Sequence, residues 1–494
     1  MFFRNKFLWL SLILILCLYL IFPSGLSTSD GWYYAASIKH VGEIFLPHHL
    51  LYNSLGLVFS WLPSKLGFDT ISSLKVMNAI FAFLTLLVIQ KLLYLYKLTD
   101  KNVILITCLS GISFSVIRYA TENETYIVPL FFAIIASFSY IKYLNSGASR
   151  YAFYSGMWAA IAVLFHQIYI FWWMGLLIGF IIEEKKRAFI SYTLISLIAP
   201  VIYLIVIVSG GNGSDWKEIW GFLLGDFNGG AKLELTGSGI LMTFINLIRS
   251  FIQVHGYILN MVKENLFLLL PGVVSIFFVV IAFLKFPGFS KTIYSKRFIT
   301  VHIIILVLQL IFALFSAGNA EFMVMIPVII FILIPFFTID YEKFLLRILL
   351  GMAIWNISYG FIPLHYKSQA PEQYLSEIAL VNKNTIVVAS DALLIKSMIY
   401  YQTGNFDRKN IYESPAVLSI TGKEVRILED AIDNALNSGN EIFTNCLDET
   451  VISRSSIMEG TKNGEFFRKY RTTLIKSWKQ VTGTRSIFKI EGKL

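Results

Sequence analysis

The chain alternates long apolar runs with short polar links, and that rhythm predicts a bundle of helices. Runs long enough to cross a bilayer, or nearly so, occupy about eleven places, judged against the ~17–25 residues a spanning helix needs. They cover 7–22, 74–94, 103–117, 126–141, 151–165, 168–182, 189–208, 266–284, 298–315, 322–338 and 344–363. The stretch 240–263 differs. There Thr243, Asn246, Ser250, Gln253, Asn260 and Lys263 recur mostly at three- or four-residue steps beside an apolar face. This pattern predicts a helix lying in the membrane interface. Counting it as a span would reverse every later loop.

Beyond residue 363 the spans stop and mixed polarity follows. Residues 385–390 predict a buried strand, 391–401 a helix, 423–436 an amphipathic helix closed by Gly439, and 441–446 another strand. Residues 364–494 are therefore expected to form a small α/β domain. Near its end, Arg468, Lys469, Arg471, Lys476 and Lys479 read as the solvated face of a helix. Contact with anionic lipid is the other reading of that basic group.

Composition agrees with the pattern: of 494 residues, 56% are hydrophobic and only 15% charged, far more apolar than a soluble core requires. The expected fold class is a polytopic α-helical membrane protein with a C-terminal α/β domain. The net charge of +10 does not point to nucleic acid, because the basic residues are scattered over short loops. Arg4 and Lys6, Lys97 and Lys101, Lys142 and Arg150, 185–187, then Lys285, Lys291, Lys296 and Arg297, and finally Lys343 and Arg347 all fall on one side. The positive-inside rule makes that side cytoplasmic. The turns at His166-Gln167 and Gly318-Asn319-Ala320-Glu321 carry no Lys or Arg. Asp30, Glu122, Glu124, His166, Glu321 and the C-terminal domain are therefore expected outside the cytoplasmic (inner) membrane. The first run also fits a signal peptide, without an Ala-x-Ala site, and either fate leaves Asp30 outside. Cys17, Cys108 and Cys446 lie too far apart along the pattern to suggest a disulfide framework or a thiolate metal site.

Ionised groups at the edge of lipid are costly to keep without a use. Asp30 follows the first run, and Glu124 with Glu122 lies in the next outer loop. The first outer loop, 24–73, is long enough to suggest function and carries Glu43 and the pair His48-His49. Asp30 and Glu124 are the catalytic candidates. His48, His49, Glu122, Arg118, His166, Gln167, Asn319 and Glu321 are the candidate substrate-binding residues, and no metal ligand set is specified, although a divalent metal is compatible with the acids. Plainer readings exist. Asp30 could cap a helix, the Glu122–Glu124 turn could simply be solvated, and Tyr33, Tyr34, Trp172 and Trp173 could anchor the membrane interface.

Ser29-Asp30-Gly31, Ala35-Ala36, Leu46-Pro47-His48-His49-Leu50-Leu51-Tyr52-Asn53-Ser54-Leu55-Gly56, Val76-Met77-Asn78-Ala79 and Glu124-Thr125-Tyr126 together resemble the GT-C glycosyltransferases. Within these, the likeness is to protein O-mannosyltransferase-like membrane proteins, and it covers roughly the first 170 residues. The family loop often reads His-Pro-Pro where this chain has Pro47-His48-His49. The resemblance implies a sugar transferase using a polyprenyl-phosphate-linked donor, with Asp30 at the catalytic centre and Glu124 in the second acidic position. The expected reaction moves the sugar to an acceptor hydroxyl on a protein, lipid or glycan, with inversion. A carrier that buries its tail in lipid leaves phosphate and sugar at headgroup level, where polar groups at span ends can meet them. The alternative class is a transporter or flippase of lipid-linked glycans. Such proteins place ionisable groups mid-span, whereas here the acids gather at one face.

Overall fold

The computed structural model describes residues 6–210, 215–229, 236–286, 288, 296–316, 318–337, 341–420, 423–447 and 462–494. Arg4, Lys291 and the end of the run 322–338 lie outside the described residues. The chain divides into two compact units. The first holds Met1–Pro23, Glu43–Val254 and Leu269–Phe361, and the second Ser24–Gly42, His255–Leu268 and Ile362–Leu494.

The first unit is helical, and helix covers every apolar run predicted within it. Among the described residues six helices are long and apolar enough to cross a membrane, beginning at Thr70, Ile127, Lys186, Leu266, Lys296 and Glu342. Shorter apolar helices include Lys6–Ile21 and Gln167–Ile182. Local sequence sets several boundaries. Asp69 caps the helix Thr70–Leu95, its carboxylate accepting from the Ser72 amide at 2.9 Å.

One predicted span is broken. Residues 103–117 read as a single run, but the chain forms Asp100–Ile112 and Phe114–Thr121 with a 62° bend between them. Ser113, at φ −59° and ψ 136°, leaves the helical region. A break at membrane depth needs its freed backbone groups satisfied by protein, and Asn356 does this. Its Nδ2 donates to the carbonyls of Ile112 at 2.7 Å and Phe251 at 2.8 Å, while its Oδ1 accepts from the Gln253 amide. The bend turns the short helix carrying Arg118 away from the line of the first.

The stretch 240–263 also divides, into helices Gly237–Phe251 and Tyr257–Glu264. In the first of these the polar stripe turns inward. Asn246 and Ser250 are buried, as is Gln253 just past the helix end, and Asn246 donates to the Gly318 carbonyl at 2.6 Å, whereas Ile240, Leu241 and Phe244 are exposed. Gly318 has φ +67° and its α-carbon lies against the backbone of Thr243, so no side chain fits there.

In the second unit strands β1 (Ile386–Ala389), β2 (Ile411–Glu413), β3 (Ile442–Thr444), β4 (Tyr470–Gln480) and β5 (Gly483–Lys493) form one sheet in the order β2-β1-β3-β5-β4. β1 pairs parallel with β2 and β3, and β5 pairs antiparallel with β3 and β4. β1 is covered on both faces, which is why it reads as an unbroken apolar run. Val387 packs with Leu375, Ile395 and Ile399 on one side, and Val388 with Leu428 and Ile432 on the other. The basic segment around Arg471–Lys479 is not a helix: β4 pairs with β5 through the tight turn at Val481-Thr482, with Gln480 opposite Gly483. The helix Ser29–Lys39 belongs to this unit. Trp32 meets Tyr401 and Tyr33 meets Tyr400 and Phe406, at ring-centroid distances of 5.3, 5.4 and 5.3 Å. Tyr33, held by these rings, and Tyr34, which is buried, are packing residues rather than interfacial anchors. Trp172 is likewise buried, donating to Ser137 Oγ at 3.0 Å.

Candidate active site

The Glu122–Glu124 turn is not solvated, since both side chains are only 3% exposed. Its shape is fixed from a neighbouring helix: Asn78 Nδ2 donates to the carbonyl oxygens of Glu122 at 2.7 Å and Glu124 at 2.6 Å. With its backbone held this way, the turn aims two carboxylates into the protein. Arg118, one turn earlier on the bent helix, pairs through Nε with Glu122 Oε2 at 3.2 Å. The same guanidinium lies within electrostatic reach of Glu321 and Glu124. Lys75, on the helix that carries Asn78, feels the charge of Glu122.

A second group joins this one through aromatic rings. His48 Nδ1 and Gln167 Oε1 are 2.7 Å apart, and Gln167 Nε2 donates to the Pro47 carbonyl. The rings of His49 and His166 meet edge to face with centroids 4.4 Å apart, and His166 lies 4.8 Å from Tyr126. Tyr126 in turn packs 4.9 Å from Tyr119 and donates its hydroxyl to Glu321 Oε2 at 3.0 Å. Asn319 Nδ2 donates to the same carboxylate oxygen at 3.3 Å. Burial, followed by the imidazoles of His49 and His48, pushes His166 well below the ordinary histidine range, so its ring is neutral at pH 7.

The first unit therefore brings together Glu124, Glu122, Arg118, His48, His49, His166, Gln167, Asn319 and Glu321, nine residues singled out from sequence. Asp30 lies in the second unit. It is exposed in the first turn of the helix Ser29–Lys39, whose cap is Thr28, accepting from the Gly31 amide at 2.9 Å. Thr28 rather than Asp30 is thus the N-cap of that helix. Sequence reading passed over Tyr119, Lys75 and Asn78 as functional residues. Tyr119 is buried, its hydroxyl has no hydrogen-bond partner among the described residues, and Glu321, Glu122 and Glu124 all act on it electrostatically. The available signal was Tyr119 following Arg118 directly, on a helix that also ends in an acid. Among the described residues no group of three or more His, Cys, Asp or Glu gathers as a metal site.

The chain matches no protein-family model and no curated protein. Solved structures do match over almost its whole length. ArnT from Cupriavidus metallidurans bound to undecaprenyl phosphate aligns with a TM-score of 0.56 at 8% identity, covering 98% of each chain. The archaeal oligosaccharyltransferase AglB from Archaeoglobus fulgidus, in complex with an inhibitory peptide and a dolichol-phosphate, aligns at 0.51 and 11% identity over 96% of this chain and 73% of its own. The chain has a GT-C-like fold. At this level of identity the likeness is one of backbone architecture. Within the GT-C-like fold, the acid, guanidinium and imidazole cluster described above rests on this chain's own residues.

Proposed function

We propose that the protein is a glycosyltransferase of the outer face of the cytoplasmic membrane. It takes a sugar from a polyprenyl-phosphate-linked donor and transfers it to an acceptor hydroxyl. The observation that carries this reading is the cluster of buried Glu122 and Glu124 with half-buried Arg118 and Glu321, in a fold shared with two proteins solved with polyprenyl-type phosphates. Two buried carboxylates beside one guanidinium, with a third half-buried, are costly to hold without a substrate to bind.

In the proposed reaction a carboxylate accepts the proton of the acceptor hydroxyl while that oxygen forms a bond to the anomeric carbon, and the family resemblance alone assigns this role to Asp30. The bond from that carbon to the phosphate oxygen breaks, and polyprenyl phosphate leaves with the electron pair. A single displacement of this kind inverts the anomeric centre. Arg118 supports the developing phosphate charge, with the Tyr119 hydroxyl as a second donor. Glu124 and Glu321 orient sugar hydroxyls, as do His48, His49 and the Gln167 amide. The acceptor on a protein, a lipid or a growing glycan supplies the same attacking oxygen in each case.

Incubating the purified full-length protein with a radiolabelled polyprenyl-phosphate sugar and membrane extract tests the reading. Label should move to an acceptor, and the rate should fall by ~10²–10⁴-fold in Asp30→Asn, the usual contribution of a positioned base. Movement of intact donor across vesicles with no bond cleavage would instead establish a flippase.

A further inference from the structure

The second unit contains a cavity of about 240 Å³ that the proposed reaction leaves unused. Leu26, Tyr257, Lys367, Glu372, Thr482 and Arg485 contribute to its wall, all within that unit. Glu372 is the informative residue. It is 6% exposed, and its Oε1 accepts from Arg485 Nη2 at 2.6 Å. Its Oε2 is also buried, yet receives no hydrogen bond from any described residue. Buried carboxylate oxygens are ordinarily satisfied, so a half-used one on a cavity wall points to a donor that enters from outside.

The rest of the wall narrows the chemistry. The rings of Tyr257 and His255 stack with centroids 4.8 Å apart, and Lys367 Nζ lies 4.3 Å from the centre of the Tyr257 ring. Two cations and one carboxylate leave a positive balance, which disfavours an ammonium-bearing guest. A strongly anionic guest would meet Glu372 Oε2, which needs a donor. Hydroxyl groups satisfy both conditions, and Leu26 with the Tyr257 and His255 side chains adds nonpolar surface for the carbon side of a sugar. The volume is below the ~300 Å³ at which pockets for drug-sized ligands begin, so it suits one ring and not a chain. We infer that this cavity binds a single saccharide ring, one hydroxyl of which donates to Glu372 Oε2. The site is independent of the proposed transfer reaction, because its binding can be read without any turnover.

Saturation-transfer NMR on the full-length protein in detergent, with the methyl glycosides of glucose, galactose, mannose, N-acetylglucosamine and glucuronic acid, decides the matter. At least one glycoside should receive saturation. Glu372→Gln should weaken it at least tenfold, because an amide that keeps its oxygen toward Arg485 turns an NH₂ toward the guest. Thr482→Trp should abolish it: Thr482 sits in the turn between β4 and β5, so the new ring fills the cavity without removing a charged group. That second variant keeps the test decisive if the first fails to fold. No signal from any of the five glycosides, meaning that the cavity holds water alone, overturns the inference. So does a signal that survives Thr482→Trp.

Discussion

The side-chain amide of Asn78 and the main chain of Glu124 are joined by a 2.6 Å hydrogen bond, and the same nitrogen reaches the Glu122 carbonyl at 2.7 Å. One buried donor thus sets the backbone of both acids. Asn78→Ala would leave two buried carbonyl oxygens without that donor, at about 1–3 kcal/mol for each group left unsatisfied. Asn78→Asp should be worse, because a carboxylate cannot donate and adds charge beside Glu122 and Glu124. Glycosyl transfer should fall by ~10²-fold in either variant, the scale of a 1 Å misplacement. Thermal unfolding and transfer rate measured on the same preparations check this.

Arg118 and Glu122 form a pair in which the acid is 3% exposed and the guanidinium side chain 17%. Removing one partner of such a pair strands the other charge. Arg118→Met should therefore destabilise the protein by about 3–5 kcal/mol. Glu122→Gln should cost less, because Arg118 also has Glu321 and Glu124 within reach. Arg118→Lys should recover part of the stability but little of the activity, since an ammonium lacks the planar fork that suits a phosphate. Denaturation midpoints of the three variants in one detergent separate these outcomes.

The helices were legible because burial in lipid demands long apolar runs, and the acids were legible because they interrupt those runs. The 62° break at Ser113 was not, since serine is tolerated within helices and the group that stabilises the break, Asn356, is 243 positions away along the chain. The same limit hid the role of Asn78, which acts through carbonyl oxygens of residues 44 and 46 positions on. The β4–β5 hairpin was misread because lysines and arginines dominated a segment whose alternation is interrupted by register shifts at Arg471/Thr472 and Leu474/Lys476. Asp30 was found from its place beside the first span. Its helix gave no hint in advance that its aromatic residues pack onto Tyr400, Tyr401 and Phe406.

His166 supplies a pH dependence of stability. Its imidazole is held below the ordinary value of 6.5 in the fold, while the unfolded chain titrates near that value. The unfolded state therefore binds more protons as the pH drops, and the stability His166 contributes is present above 6.5 and is lost as the pH falls from there toward the depressed folded value. His166→Asn keeps an acceptor for the Ile168 amide, which His166 Nδ1 now receives at 3.2 Å. Melting temperatures taken from about pH 8 to about pH 5 should decline more steeply for the parent protein than for this variant. Parallel curves would remove His166 as the source.

Asp391 caps the helix Ala392–Thr403, accepting from the Leu394 amide at 2.8 Å, and sits close enough to Glu413 for their charges to oppose. Burial is the main reason that both carboxyls are raised above their usual range. Asp391→Ala should cost about 1 kcal/mol through loss of the cap. Asp391→Asn keeps the acceptor and removes the repulsion, so it should be neutral or stabilising. Raised carboxyls favour the fold at low pH and lose that contribution as the pH climbs through their folded values, so the benefit of Asn should grow with pH. Chemical denaturation of both variants at two pH values checks the sign.

Asp30 and Thr28 occupy one helix start and divide its labour. The Thr28 hydroxyl accepts from the Gly31 amide at 2.9 Å and carries the capping, whereas Asp30 is exposed in the first turn. A carboxylate near a helix N-terminus gains at most about 0.3–1 kcal/mol from the dipole when exposed. Asp30→Asn should remain folded while losing ~10²–10⁴-fold in transfer. Thr28→Ala should show the reverse pattern, with about 1 kcal/mol of stability lost and activity falling only as far as the helix start frays. The pair of variants distinguishes chemistry from scaffolding at a single turn. Full activity in Asp30→Asn would assign the base to another residue and leave the cluster around Arg118 as the remaining site of reaction.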